Sequence, residues 1–435
     1  MRARLFAAAV ALLAISSGLR ASGPPLVVHE WGTFTSVQGH DGTQAWWLPH
    51  LKTDLPAFVY ARGVQDGGIK GVKLLRGKES QTAILRMETP VIYFYSDIGR
   101  AVDVLVRLPK GEITEWYPQA TRIGPSFRPD GQGASLEDSL IEWKGVKILP
   151  RDTAEFFAEK LIRTSDDPKA DHYYSARATD ANLLRVSSPH ARNGVEYERD
   201  LFYRGLTEFP GPLTATVDSG ETRLTLVTEG PDALNNLFVV TIHHGLMRYQ
   251  KVDRVTPDKS TDVSLDAVPF AALDDMRSQL MGDMVKTLVS QGLYEKEASA
   301  MVDTWKNQWF VEEGSRVFYL LPRAWTDRVL PLEVTPTPDR VVRVMVGRAE
   351  LILPSVERGL RQQIMAFKSG DAPAREHAVA IVRGMNLGRF LAPAQQIALG
   401  SNRDQATWDA VNSLTEQVIA PASSATTTTS TALLH

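Results

Sequence analysis

From Leu26 to about Leu265 the chain alternates short apolar runs with turns rich in Gly, Pro and Asp, a pattern that predicts β-strands. Val91–Tyr95 is apolar at every position, as a strand buried on both faces would be. Ser96-Asp97-Ile98-Gly99-Arg100 then supplies turn residues. Beyond it, Val102, Val104, Val106 and Leu108 alternate with Asp103 and Arg107, the period of a strand with one wet face. The two runs read together as a hairpin. Ile113–Tyr117, Leu140–Leu149, Thr222–Thr228 and Leu237–His243 are further expected strands. Short strands between turn residues favour antiparallel sheets packed face to face.

The period changes near Val268. Leu273, Met276, Leu280, Met284 and Leu288 fall three or four apart and form one helical stripe, with Gly292 suited to the end of that helix. A second helix is expected over Tyr294–Trp309, with Ala298, Met301, Val302, Trp305 and Trp309 on its apolar side. Strand signals return at Arg316–Leu321, Val329–Val334 and Arg340–Val346, either as a second sheet or as strands completing the first. From Pro354 to about Ile419 the pattern is helical, with breaks near Gly370 and Gly400. The expected fold class is α+β, predominantly antiparallel β and sandwich-like, with helical segments toward the C-terminus. The expected divisions are a leader at 1–22, a β-rich domain at 23–265, a helical pair with returning strands at 266–353, a helical segment at 354–420, and a Ser/Thr/Ala tail at 421–435 that cannot bury apolar area.

The leader is read from its layout. Arg2 and Arg4 precede the apolar run Leu5–Ile15, and small residues follow through Ser22, which is the plan of a secretory signal peptide cleaved after Gly18 or Ala21. Eleven apolar residues fall short of the roughly 20 that span a bilayer, and no later window reaches that length. Export to the periplasm or beyond is therefore expected, with no transmembrane segment after cleavage. Composition adds exclusions. The 435 residues carry 48 basic and 51 acidic side chains, a formal charge of -3, so no basic surplus exists to hold a nucleic acid. There is no cysteine, which removes disulfides and thiolate chemistry. No G-x-G-x-x-G, Walker-type loop, G-x-S-x-G elbow or fixed-period repeat is present.

Several strings carry a resemblance: His29-Glu30-Trp31-Gly32-Thr33-Phe34-Thr35, Met87-Glu88-Thr89-Pro90-Val91-Ile92-Tyr93-Phe94-Tyr95, Ile113-Thr114-Glu115-Trp116-Tyr117-Pro118 and Ala298-Met301-Trp305, with Phe202-Tyr203-Arg204-Gly205 and Val346-Gly347-Arg348-Ala349-Glu350. Over Leu26 to about Pro354 the chain resembles an uncharacterised family of exported bacterial proteins marked by the first of these strings near the N-terminus. The resemblance implies membership and export and assigns no catalytic residue.

Candidate chemistry is scattered along the strands. His29-Glu30 is not a zinc-protease pair, because Thr33 stands where a second His would be needed. Neighbouring strand residues point to opposite faces, so the pair either pins the first strand or lends one member to a site built from distant residues. His243 and His244 have the same geometry, with His244 expected beside Phe238, Val240 and Ile242. Asp166, Asp167, Asp171 and His172 lie in a polar stretch without calcium-loop spacing. Nine Trp raise the question of stacking on sugar rings. Tandem Trp46-Trp47 followed by His50, together with Trp116, form the expected ligand-binding set. Glu30, Glu88, Glu115, Glu312 and Glu313 are carboxylates of interest by neighbourhood, and Arg323, Asp327 and Arg328 suggest an ion-pair network.

The expectation for function is an exported soluble binding or structural protein that recognises a glycan, another polysaccharide or an envelope protein. The alternative is a metal-assisted hydrolase with Zn held by His29, His172, His243 or His244, joined by His50. A scaffold role would instead leave the Leu273–Leu288 stripe facing a partner.

Overall fold

The computed structural model describes residues 24–46, 55–61, 84–124, 139–150, 160–164, 170–400 and 404–420. The expected leader, the tail, Trp47, His50, Asp166 and Asp167 lie outside the described residues. The protein is α+β, rich in antiparallel sheet, with its helices concentrated in the C-terminal half.

Ten strands form the principal sheet. Their order is β16 (Ala271–Ala272), β14 (Leu246–Val255), β13 (Leu234–His243), β17 (Gly314–Leu320), β19 (Arg340–Leu351), β1 (Val27–Gln38), β3 (Leu85–Tyr95), β10 (Leu201–Thr207), β5 (Gly111–Tyr117) and β2 (Tyr60–Ala61). A second sheet holds β18 (Leu332–Thr335), β4 (Arg100–Leu108), β7 (Ser139–Ile148), β8 (Leu184–Ser187) and β9 (Val195–Glu198), with β6 (Arg122–Gly124) on β7. A small third sheet joins β11 (Leu213–Val217), β12 (Arg223–Thr228) and β15 (Thr261–Ser264). The helices are α1 (Asp171–Ser175), α2 (Leu273–Ser290), α3 (Glu295–Trp309), α4 (Arg323–Val329), α5 (Pro354–Ser369), α6 (Ala372–Gly384), α7 (Leu391–Leu399) and α8 (Gln405–Ile419).

β1 lies in the middle of the principal sheet, parallel to β19 and antiparallel to β3. The returning strands thus complete the first sheet, and 23–265 and 266–353 share it. The second sheet covers the face of β1 that carries Glu30 and Phe34. Trp143 of β7 meets Tyr203 of β10 there at 6.5 Å between rings, and α4 brings Trp325 edge-on to Phe34 at 5.6 Å. Helices α2 and α3 cover the opposite face. Leu280, Met284 and Leu288 of the α2 stripe are buried in the common core, so the stripe serves this chain's own sheet. Helices α5–α8 build a second core around Leu360, Ile364, Ala394 and Leu414, joined to the sheet through Val37 and Ile352.

Three expectations are corrected. Leu85–Tyr95 and Arg100–Leu108 do not form a hairpin, because β3 pairs with β1 and β10 while β4 pairs with β7 and β18. A strand apolar on both faces belongs inside the large sheet, and the alternating strand after it suits the half-wet second sheet. His244 does not continue a strand beside Ile242. It shares a two-residue turn with Gly245, both at positive φ (49° and 75°), which is the hairpin geometry that matches strand twist. Val329–Val334 is not one strand, since α4 ends at Val329 and β18 begins at Leu332. No helix among the described residues is long and apolar enough to cross a membrane.

Two glycines make the packing testable. A Cβ on Gly347 would lie within the ring of buried Tyr319, whereas one on Gly282, inside α2, would meet nothing within 4 Å. Gly347→Ala is expected to lower the unfolding free energy by about 1–3 kcal/mol, and Gly282→Ala to raise it by about 0.5–1 kcal/mol, both read by urea denaturation. Equal effects of the two would contradict this packing.

Candidate functional site

Strand alternation sends His29 and Glu30 to opposite faces of the principal sheet, and both are fully buried. On the second-sheet side, Glu30 accepts hydrogen bonds from the Tyr203 hydroxyl and from Arg343 Nε, each at 2.5 Å. Arg343 Nη1 continues to Asp327 at 2.8 Å, and Arg323 reaches Asp327 at 2.6 Å. Burial opposes the Arg343 charge, but Glu30 and Tyr203 outweigh it and hold the guanidinium above its ordinary pKa. On the other side, His29 Nδ1 lies 2.7 Å from Glu297 Oε2. Glu297 also accepts from the Tyr95 hydroxyl and from the Tyr294 backbone N–H, each at 2.7 Å. One carboxylate therefore caps α3 and docks it on β1 and β3.

Farther along that face the charges form a chain. Arg86 pairs with Glu88 (3.1 Å), Glu88 with Arg389 (2.7 Å), Arg389 with Glu312 (3.6 Å) and Glu312 with Arg348 (2.7 Å). Arg348 continues to Glu350 (2.7 Å) and Glu350 to Arg316 (3.2 Å). Strand register assembles it, because Thr35 stands opposite Arg86 on β3 and opposite Arg348 on β19, while Arg316 stands opposite Glu350. Thr35 donates to Glu88 at 2.8 Å. Arg316 donates to the carbonyl of Trp309, the last residue of α3, which the helix end leaves open, and to the carbonyls of Glu312 and Glu313 just beyond it. Burial pushes the Glu88 carboxyl up, yet Arg389, Arg86 and Arg204 together with Thr35 pull it down to about 2. Glu312 is likewise raised by burial and lowered overall by Arg348, Arg389 and Arg316.

A separate acidic group lies near β9. Glu196 accepts from Tyr60 and from the Gln119 backbone, each at 2.7 Å, and Glu198 pairs with Arg177 at 2.6 Å. Asp200 is buried beside Glu198, and burial followed by that like charge pushes its carboxyl well above the ordinary range.

The residues expected to bind or catalyse are dispersed. Trp46 is exposed. Trp116 is 9% exposed, donates to Gln119 at 2.6 Å and lies nearly parallel to Tyr60 at 6.4 Å between rings. His172 lies 3.4 Å from Arg204 Nη2 and beside Trp305. His243 is exposed at the tip of the β13–β14 hairpin, 3.6 Å from Glu313. His244 gives its backbone N–H to the same Glu313 at 3.0 Å. The zinc set of His29, His172, His243 and His244 is thus not assembled: His29 is on β1 and His172 on α1, while His243 and His244 meet each other at the β13–β14 hairpin with ring centroids 4.0 Å apart. Among the described residues no three His, Asp or Glu side chains converge as metal ligands.

Sequence reasoning named Glu30, Glu88 and Glu312 by neighbourhood and missed Glu297 as the partner of His29, Arg343 as the partner of Glu30, Arg389 as the partner of Glu88 and Glu312, and Arg316 as the partner of Glu350. A readable signal existed in Val342-Arg343-Val344 and Gly347-Arg348-Ala349-Glu350, where charges interrupt apolar strands and so require partners inside the protein.

No protein-family profile and no curated protein matches the chain. Among solved structures it is similar to the yeast delta-COP-I mu-homology domain, at 9% identity and a TM-score of 0.24 over 75% of this chain and 95% of that one. It is similar also to that domain complexed with the Dsl1 WxWxV peptide, at 8% identity and a TM-score of 0.23 over 75% and 96%. Likeness at that level carries no argument about fold or function.

The two kinds of buried acid give opposite pH responses. The Glu88 pKa is depressed on folding, so its contribution is present above pH 4.5 and is lost as pH falls toward about 2. The Asp200 pKa is raised, so its contribution is present below pH 3.8 and is lost as pH rises. In urea titrations across pH, Glu88→Gln is expected to flatten the acid limb of wild-type stability. Asp200→Asn is expected to stabilise at about pH 7 and to change little near pH 4. An unaltered acid limb in the first variant, or destabilisation at neutral pH in the second, would contradict these assignments.

Proposed function

We propose that this chain is an exported binding protein that presents Trp46 to a glycan or envelope component. Export is supported by the basic, apolar and small-residue layout of residues 1–22 and by the family resemblance of the strings that follow. The observation that carries the binding reading is an indole held out from a fixed anchor. Trp46 is 44% exposed. The two residues before it are pinned: Gln44 exchanges hydrogen bonds with Gly211 (3.1 and 2.9 Å), and Ala45 donates to Val37 at 2.8 Å while packing in the second core. A flat aromatic face on a rigid support loses little freedom when a sugar ring stacks on it. Glu30, Glu88, Glu312 and Glu350, by contrast, are committed to arginines and hydroxyls that hold the sheets together. This favours recognition over acid–base catalysis.

The expected result is recovery of the protein outside the cytoplasm with its N-terminus just after Gly18 or Ala21. That protein should be retained on envelope polysaccharide, and Trp46→Ala should cut retention by at least about tenfold with an unchanged melting temperature. Retention equal to wild type in Trp46→Ala, or a cytoplasmic protein with an intact N-terminus, would refute the proposal.

A further inference from the structure

Every carboxylate in the ion-pair chain is matched, yet three of its guanidiniums, Arg316, Arg348 and Arg389, keep unmet donors, and only Arg348 and Arg389 have one on a terminal Nη. Arg348 spends Nε on Glu350 at 3.0 Å and Nη2 on Glu350 and Glu312, both at 2.7 Å, while its Nη1 is buried with no hydrogen-bond partner. Arg389 spends Nη1 on Glu88 at 2.7 Å, and its Nη2 is likewise buried without one. The two side chains share two partners. Both lie over the Phe390 ring, 4.9 and 4.8 Å from its centroid. They also hold opposite oxygens of the Glu312 carboxylate, Arg348 on Oε2 at 2.7 Å and Arg389 on Oε1 at 3.6 Å. Arg348 is sealed, whereas Arg389 is 17% and Glu312 28% exposed, so solvent approaches the pair from the Arg389–Glu312 side.

We propose that Arg348 and Arg389 form a binding site for a compact oxyanion: sulfate, inorganic phosphate, or the carboxylate of a larger ligand. These share the needed chemistry, two neighbouring oxygens that can each take an N–H from a different planar guanidinium. Arg N–H groups buried without an acceptor are a costly state that such an anion relieves. Chloride offers one centre and does not match the pair. Glu312 is the like-charged neighbour of the incoming anion and opposes its entry. The site also joins two parts of the fold, since Arg348 belongs to β19 and Arg389 to the turn between α6 and α7. Occupancy therefore ties the helical C-terminal segment to the sheet and raises the melting temperature.

The test titrates the full chain with sodium sulfate, phosphate and acetate, against chloride at matched ionic strength, by calorimetry and thermal melting. Saturable one-to-one binding of at least one oxyanion, absent with chloride, is expected, and the acetate arm tells a carboxylate ligand from an inorganic one. Arg389→Gln should weaken binding by about tenfold, while Glu312→Gln should tighten it by about tenfold. Opposite signs distinguish a ligand site from a structural ion pair, because both substitutions break the same Arg389–Glu312 contact. The proposal is overturned if no oxyanion saturates the wild type, if chloride binds equally, or if both variants weaken binding alike. Should either variant fail to fold, the wild-type titration against chloride decides alone.

Discussion

A strand buried on both faces carries His29, Glu30, Thr33, Thr35, Ser36 and Gln38, none of them exposed to solvent. Polar groups taken out of water need partners, and the two-residue period of a strand divides that demand between two faces. Each face therefore has to deliver complementary groups to β1, and different parts of the molecule do so. Glu297 brings α3 to His29. Arg343, Tyr203 and Asp327 tie β19, β10 and α4 to Glu30. Thr35 reaches Glu88, and through it Arg389 of the C-terminal segment. Gln38 donates to Leu213 at 2.8 Å and accepts from Ala215 at 3.0 Å, which fastens the three-stranded sheet.

This arrangement explains why residues 266–353 belong with the first half of the chain. β19 pairs with β1 over its whole length, from Val27 opposite Arg340 to Gln38 opposite Leu351, so the late strands are needed before β1 is satisfied. It also bears on function. Carboxylates locked between arginines are poor proton carriers, as the depressed pKa of Glu88 shows. The two binding sites proposed above lie at the margins of this network: the indole of Trp46 on its anchored segment, and the Arg348–Arg389 pair beside the partly exposed Glu312.

Elements set by local pattern were readable from sequence. The α2 stripe, α3, the breaks after Ser369 and Leu399, and most strands fall where hydrophobic period and glycine placed them. The opposed directions of His29 and Glu30 were readable as well, since they follow from strand geometry alone. Partner identity was not. Glu30 and Arg343 are 313 residues apart, as are β1 and its parallel neighbour, and nothing local encodes which distant arginine answers a buried glutamate. The same limit explains the false hairpin after Tyr95, where two good strands adjacent in sequence enter different sheets.

The dependence of the fold on β1's buried charges is tested most directly by a double-mutant cycle on Glu30 and Arg343 in urea denaturation. Glu30→Gln alone should cost about 3–5 kcal/mol, because Arg343 is left buried beside a neutral group, and pairing it with Arg343→Met should recover much of that loss. Single substitutions that change stability by less than about 0.5 kcal/mol and simply add would contradict it.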